Sequence, residues 1–163
     1  MKVPVKSGGL IALTIAAALV AKYEPAANIN KPYWDPSGTV WTVCEGHTGN
    51  VDPKRTYTNA ECHAFKVADL AIAQGHVNRC LPMPKLPQIE GALTDAAYNA
   101  GQAVVCGSTL QRFALANDWP AACAELSRWD KAGGRVLPGL TRRRTDDRAI
   151  CEGKAVLDLW AKS

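Results

Sequence analysis

Residues 7–21 run SGGLIALTIAAALVA without a charge, between Lys6 and Lys22, and the chain then reads Tyr23-Glu24-Pro25. So apolar a stretch has to leave water, for lipid or for the inside of a protein. Pro25 removes an amide donor and disfavours helical geometry in the residue before it, so a helix through this run must end at Glu24. With Lys2 and Lys6 ahead of it, the segment has the outline of an export leader. Cleavage after Ala21 would leave Glu24 three residues from a free end, with Leu19 where a small residue is expected. As a bilayer span the run is short: at 1.5 Å per residue it covers about 22 Å, against about 30 Å of hydrocarbon. Gly8, Gly9 and Thr14 dilute it further. The basic flank places Lys2 and Lys6 on the cytoplasmic side and the rest of the chain outside.

Residues 23–49 cannot form one helix, because prolines stand at 25, 32 and 36. Asp35-Pro36-Ser37-Gly38 has turn composition, and residues 39–43 (TVWTV) have strand composition, so one arm of a β-hairpin is expected here. A Gly46-His47-Thr48-Gly49 corner follows. Two carboxylates, Glu24 and Asp35, are thus carried on opposite sides of a small hairpin. That suits acid–base cleavage of a glycosidic bond, one carboxyl protonated and the other ionised. Plainer roles are an exposed carboxylate before a proline for Glu24 and a turn cap for Asp35. Glu45, beside Cys44 and Gly46, is expected on the outer face of a turn.

The 163 residues suffice for one domain with a real core. A net charge of +4, with Arg142-Arg143-Arg144 the only dense basic run, argues against a nucleic-acid binder and suits an acidic polymer or an anionic lipid surface. Six cysteines, at 44, 62, 80, 106, 123 and 151, lack the close spacing of a metal or redox motif. They point to disulfides and an oxidising compartment, with fifteen pairings open. None lies in residues 1–22, so no thiol there can cage the site.

Further along, Thr58-Asn59-Ala60-Glu61 is a capping box that opens a helix to about Arg79, with Phe65, Ala68 and Ile72 on one face. After Pro82, Pro84 and Pro87, an apolar helix carrying Ile89, Leu93, Ala96 and Ala97 ends near Gly101. Ser108-Thr109-Leu110-Gln111 is a second capping box, and Asp118 caps a helix with Ala122, Leu126 and Trp129. A Gly/Pro loop over residues 133–139 leads to a last helix with Ile150, Gly153, Leu157 and Trp160 on one face. The fold class expected is α+β, a small hairpin lobe and a larger helical lobe.

The order Glu24…Tyr33-x-Asp35-x-x-Gly38…Trp41-Thr42-x-x-x-Gly46-His47-Thr48-Gly49 resembles the active-site segment of phage-type lysozymes, glycoside hydrolase family 24. Ala97-Tyr98-Asn99-Ala100-Gly101, Trp129, Gly133-Gly134 and Leu137-Pro138-Gly139-Leu140 follow in the family's order. The resemblance spans about residues 23–152 and implies a lysozyme-like fold. It implies Glu24 as general acid, needing a pKa raised by burial, and Asp35 as the ionised partner. Thr42 would place the water, with Thr39 as substitute because the spacing from Gly38 is one residue long. Tyr98, Asn99, Gln102 and Arg143 would bind the sugar chain, and His47 would hold the corner between lobes. Pro25 stands where the family has glycine, and the Glu-to-Asp spacing is about two residues longer.

The weakly apolar leader resembles the signal-arrest-release (SAR) element of some endolysins. That divides the chain into a membrane segment, 1–22, and a catalytic domain, 23–163. The implied activity is hydrolysis of the β-1,4 bond between N-acetylmuramic acid and N-acetylglucosamine in peptidoglycan for host lysis, without metal or organic cofactor. The implied partners are the host secretion machinery and, through residues 7–21, the inner membrane. The enzyme, a monomer, would face the periplasm while tethered and inactive, then enter it. Rival readings are a lytic transglycosylase and a non-enzymatic cell-wall binding protein.

Overall fold

The uncharged run forms helix α1 (Ser7–Tyr23). The computed structural model of the protein describes residues 7–24, 30–36 and 38–155. Lys2, Lys6, Pro25, Ser37, Leu157 and Trp160, which enter the sequence reading, lie outside them. Ala12, Ile15, Ala16, Leu19 and Val20 are buried, the i, i+3, i+4 stripe of a helix laid on a protein core. Leu10 and Ile11 stay exposed, so α1 is apolar on more sides than it buries. Among the described residues no helix is long and apolar enough to cross a membrane.

Helix α1 crosses α3 (Pro87–Ala100) at close range. A Cβ on Gly91 would stand 2.8 Å from Ile15 Cβ and 2.9 Å from the Ala12 carbonyl, so only glycine admits the crossing. Helix α2 (Asn59–Cys80) supports the other flank, with Leu70 against Ala16 and Val20. Gln74 on α2 donates to the Gly9 carbonyl (2.9 Å) and to Glu90 (2.7 Å), and Asn78 also donates to Glu90 (3.0 Å). The division at residues 22 and 23 therefore falls within a helix whose Ile15 and Leu19 belong to the main core.

The box at Thr58 forms as expected and α2 ends at Cys80. Its buried face differs: Cys62, Leu70, Ala73 and Val77 turn inward, and Ile72 is 60% exposed. The disulfide at Cys62 and contact with α1 set the rotation of α2, which its own apolar pattern does not. Helix α3 buries Ile89, Leu93, Ala96 and Ala97 and ends at Gly101, whose φ of 88° suits glycine. Ser108 caps α4 (Thr109–Leu115), but the Gln111 side chain accepts from Gly107 N–H instead of closing the box. Asp118 caps α5 (Trp119–Glu125), after which Leu126–Arg128 tightens into a 3₁₀ turn, so Trp129 lies beyond the helix. The expected Gly/Pro loop contains a small hairpin, β3 (Lys131–Ala132) with β4 (Arg135–Val136). Helix α6 (Pro138–Cys151) stops at Cys151, leaving Gly153 after its end instead of on its face.

The front hairpin pairs β1 (Tyr33–Asp35) with β2 (Val40–Thr42) antiparallel, Tyr33 opposite Thr42 and Asp35 opposite Val40. Strand side chains alternate, so Tyr33, Asp35, Val40 and Thr42 share one face and the edge-to-face pair Trp34–Trp41 the other. Disulfides link Cys44–Cys62, Cys80–Cys106 and Cys123–Cys151, each cysteine to the next along the chain. They tie the hairpin corner to α2, the end of α2 to the segment before α4, and α5 to the end of α6. The result is an α+β molecule with a mainly helical body and small hairpins.

Candidate active site

Glu24 follows the last residue of α1, its amide donating to the Val20 carbonyl (2.8 Å), so the docked helix sets where this carboxylate stands. The resemblance implies a carboxyl whose pKa is raised by burial. What faces Glu24 is a cation: Arg143 Nη1 donates to Glu24 Oε1 at 2.6 Å. The same guanidinium grips Asp95 of α3 at two points, Nε to Oδ2 (2.9 Å) and Nη2 to Oδ1 (2.7 Å). Arg143 is 3% exposed and Asp95 fully buried. Burial alone would weaken Arg143's hold on its proton, but Asp95 and Glu24 outweigh it and raise the pKa further. Arg143 thus faces inward, toward Glu24, where a sugar-facing role was anticipated. The basic run also lies past the first turn of α6, and its acidic partners are Glu24 just after α1, Asp95 of α3 and Asp147 of its own helix.

Arg144 extends the cluster. It lies 3.7 Å from Asp95, donates to Asn99 (3.1 Å), and sits 2.9 Å from Asp147 without the alignment of a hydrogen bond. Burial first, and then the charge of Asp95, push the Asp147 carboxyl well above the usual carboxylate range. On the α1 side, the Tyr23 hydroxyl donates to Asp146 and to the Arg142 carbonyl, and Lys22 also pairs with Asp146. The last turn of α1 is therefore bound to α6.

Asp35 ends β1, its carboxylate over the turn, where a Cβ on Gly38 would be 3.6 Å from Oδ2. Thr42 is 2% exposed, and its hydroxyl has no hydrogen-bond partner among the described residues. Thr39 is held at a φ of 48°, a strained place for a β-branched residue. Tyr33 shares the face of Asp35 and Thr42. Burial first, and then the charges of Asp35 and Glu24, raise its hydroxyl pKa.

His47 lies between two acceptors, Nδ1 2.8 Å from Asp69 of α2 and Nε2 2.8 Å from the Gly49 carbonyl, with its ring stacked on Phe65 at 4.0 Å. Glu45 is not on an outer face: it is half-buried and pairs with Lys66 at 2.7 Å. Its carbonyl accepts from the Tyr98 hydroxyl, joining the corner to α3. Burial first, and then the charges of Glu24, Asp69 and Glu45, raise the Tyr98 pKa. Gln102 accepts from Arg79 (3.0 Å) and is exposed, whereas Asn99 joins Glu24 through Arg144, Asp95 and Arg143. Among the described residues no group of three or more His, Cys, Asp or Glu could hold a metal ion.

Sequence reasoning missed Asp95, and it placed Tyr33 in the active-site segment without giving it a role. A Thr94-Asp95 pair inside the most apolar helix was the available signal for the first, and the alternation of β1 for the second.

A family model described as phage lysozyme matches residues 27–147. This chain belongs to the phage lysozyme family. The SAR-endolysin of Enterobacteria phage P21 is 41% identical over 121 residues, covering 74% of this chain and 73% of that protein. The SAR-endolysin of Bacteriophage PS119 is 38% identical, covering 96% of this chain and 90% of its own. Among solved structures, the active form of P1 phage endolysin Lyz superposes with a TM-score of 0.73 at 22% identity, covering 95% and 98% of the two chains. The secreted inactive form of the same endolysin gives 0.55, covering 93% and 97%. The fold described here is thus nearer to the first arrangement than to the second.

Proposed function

We propose that this member of the phage lysozyme family is a signal-arrest-release endolysin that hydrolyses the β-1,4 bond between N-acetylmuramic acid and N-acetylglucosamine in peptidoglycan. Glu24 acts as general acid. Asp35 stays ionised, to orient water or stabilise oxocarbenium-like charge, and Thr42 places the water. Tyr98, Asn99 and Gln102 line the path of the sugar chain, and Arg143 serves it from behind by holding Glu24. The observation that supports the reading is one face of the hairpin, which carries Tyr33, Asp35 and a Thr42 hydroxyl that is buried without a hydrogen-bond partner among the described residues, together with Glu24 held by Arg143 at the end of α1.

Before release, residues 7–21 lie in the inner membrane after export by the host secretion machinery, with the domain facing the periplasm. Afterwards the enzyme works in the periplasm. Support for this comes from the run itself, uncharged and marginally long for a bilayer, and from its second use as a buried helix ending at Glu24. While the run is in lipid, Glu24 is held away from Arg143, so the tethered form is inactive.

The test is digestion of purified murein by the full chain beside its Glu24→Gln variant, with products read by mass spectrometry. Loss of the acid lowers the rate at least ~10²-fold. Wild-type products carry free reducing ends. Anhydro ends would make the enzyme a lytic transglycosylase, and an unchanged rate would remove Glu24 from the chemistry.

A further inference from the structure

We propose that Asp95 is a positioning residue for Glu24, aiming Arg143 at it while offsetting the charge that Arg143 brings. The proposal rests on the reading of Glu24 as the acid.

A general acid must carry a proton when the bond breaks, yet a guanidinium at hydrogen-bond distance favours the carboxylate that has lost it. The fork geometry reconciles the two demands. Asp95 takes Nε and Nη2 of Arg143 in a planar, two-point bond, so the direction of Nη1 is no longer free and points at Glu24 Oε1. The negative charge of Asp95 sits on the far side of the same guanidinium, in a fully buried place where little water screens it, and weakens the field Glu24 feels. Arg143 can then fix where Glu24 stands without fixing its ionisation.

The groups facing this pair come from four elements. Glu24 is paired with Arg143 from α6, its charge acts on Tyr98 of α3 and Tyr33 of β1, and Tyr23 precedes it at the end of α1. Asp95 is faced by Arg143, Arg144 and Asp147, all from α6. Among the described residues no other group grips Arg143 by two atoms, so Asp95 sets the plane of its guanidinium.

The experiment measures kcat and KM against pH for the full chain and for Asp95→Asn, with folding checked by circular dichroism. The carboxamide keeps one acceptor and loses the charge. The alkaline limb of the kcat profile should move about one pH unit lower, so that activity on that limb falls about tenfold, with KM little changed and activity recovered on acidification. A purely structural lesion is not recovered by acid. A folded Asp95→Asn enzyme with its limb where the wild type has it overturns the proposal. Should Asp95→Asn lose its fold through an unpaired guanidinium, Asp95→Asn/Arg143→Gln removes both charges and keeps an amide contact. Its limb should lie above the wild-type position, and an unmoved limb again overturns the proposal. Full activity in Glu24→Gln would instead sink the assignment of the acid, which separates the two failures.

Discussion

The Thr42 hydroxyl is buried on the face of the hairpin that carries Asp35, with no hydrogen-bond partner among the described residues, a state costing about 1–3 kcal/mol. A residue kept there for packing would be served better by valine, which has the same shape and no donor. Thr42→Val should therefore raise stability by roughly 1 kcal/mol while the rate on murein falls. Thermal unfolding and digestion of the same preparation check both halves, and a variant that is both less stable and fully active would make Thr42 a structural residue. At this scale the sequence was informative where one residue type has few uses. Glu24 ahead of Pro25 and Thr58 with Glu61 stand out, and both end or begin a helix as their chemistry requires. Asp95 was silent because its partner Arg143 lies forty-eight positions away and only tertiary packing joins them.

Between elements, the contact most exposed to a single change is the crossing of α1 and α3. Alanine at position 91 should gain up to about 1 kcal/mol in helix propensity. Its Cβ, however, would meet Ile15 at 2.8 Å and the Ala12 carbonyl at 2.9 Å, both held by a packed helix and unable to swing aside. Overpacking of this kind costs about 1–3 kcal/mol, so the net effect of Gly91→Ala is a lower melting temperature. Because Glu24 hangs from the end of α1, the shift should also lower the rate at temperatures where the variant is still folded. Melting by circular dichroism with murein digestion well below the transition separates the two effects; full activity there would mean that Glu24 does not depend on how α1 sits. The rotation of α2 belongs to the same scale and was not legible. Its apolar residues are scattered round the helix, so Phe65, Ala68 and Ile72 offered a face as good as the one used, and α1 and the Cys44–Cys62 link decide between them.

For the molecule as a whole, the α+β class, the front hairpin and the helices after it follow from proline and glycine punctuation and from capping residues. The pairing of the cysteines and the place of residues 7–21 in the core do not, because both depend on which segments meet in space. This run is apolar round more of its circumference than a globular helix needs, and sequence alone reads that as a preference for lipid. In the folded protein the same run buries Ile15, Leu19 and Val20 along with two alanines. At about 1.5–3 kcal/mol for each large side chain, removing α1 forfeits roughly 5–9 kcal/mol, of the same order as the whole stability of a domain this size. A chain beginning at residue 23 would also expose the α3 surface around Gly91 and leave Glu24 on a free end, though all three disulfides remain available to it. Such a fragment should show no cooperative thermal transition and no digestion of murein, whereas the full chain shows both. If it melts at the temperature of the full chain and digests murein as fast, then α1 contributes neither to the core nor to the placing of Glu24, and leaving the membrane could not be what assembles the site.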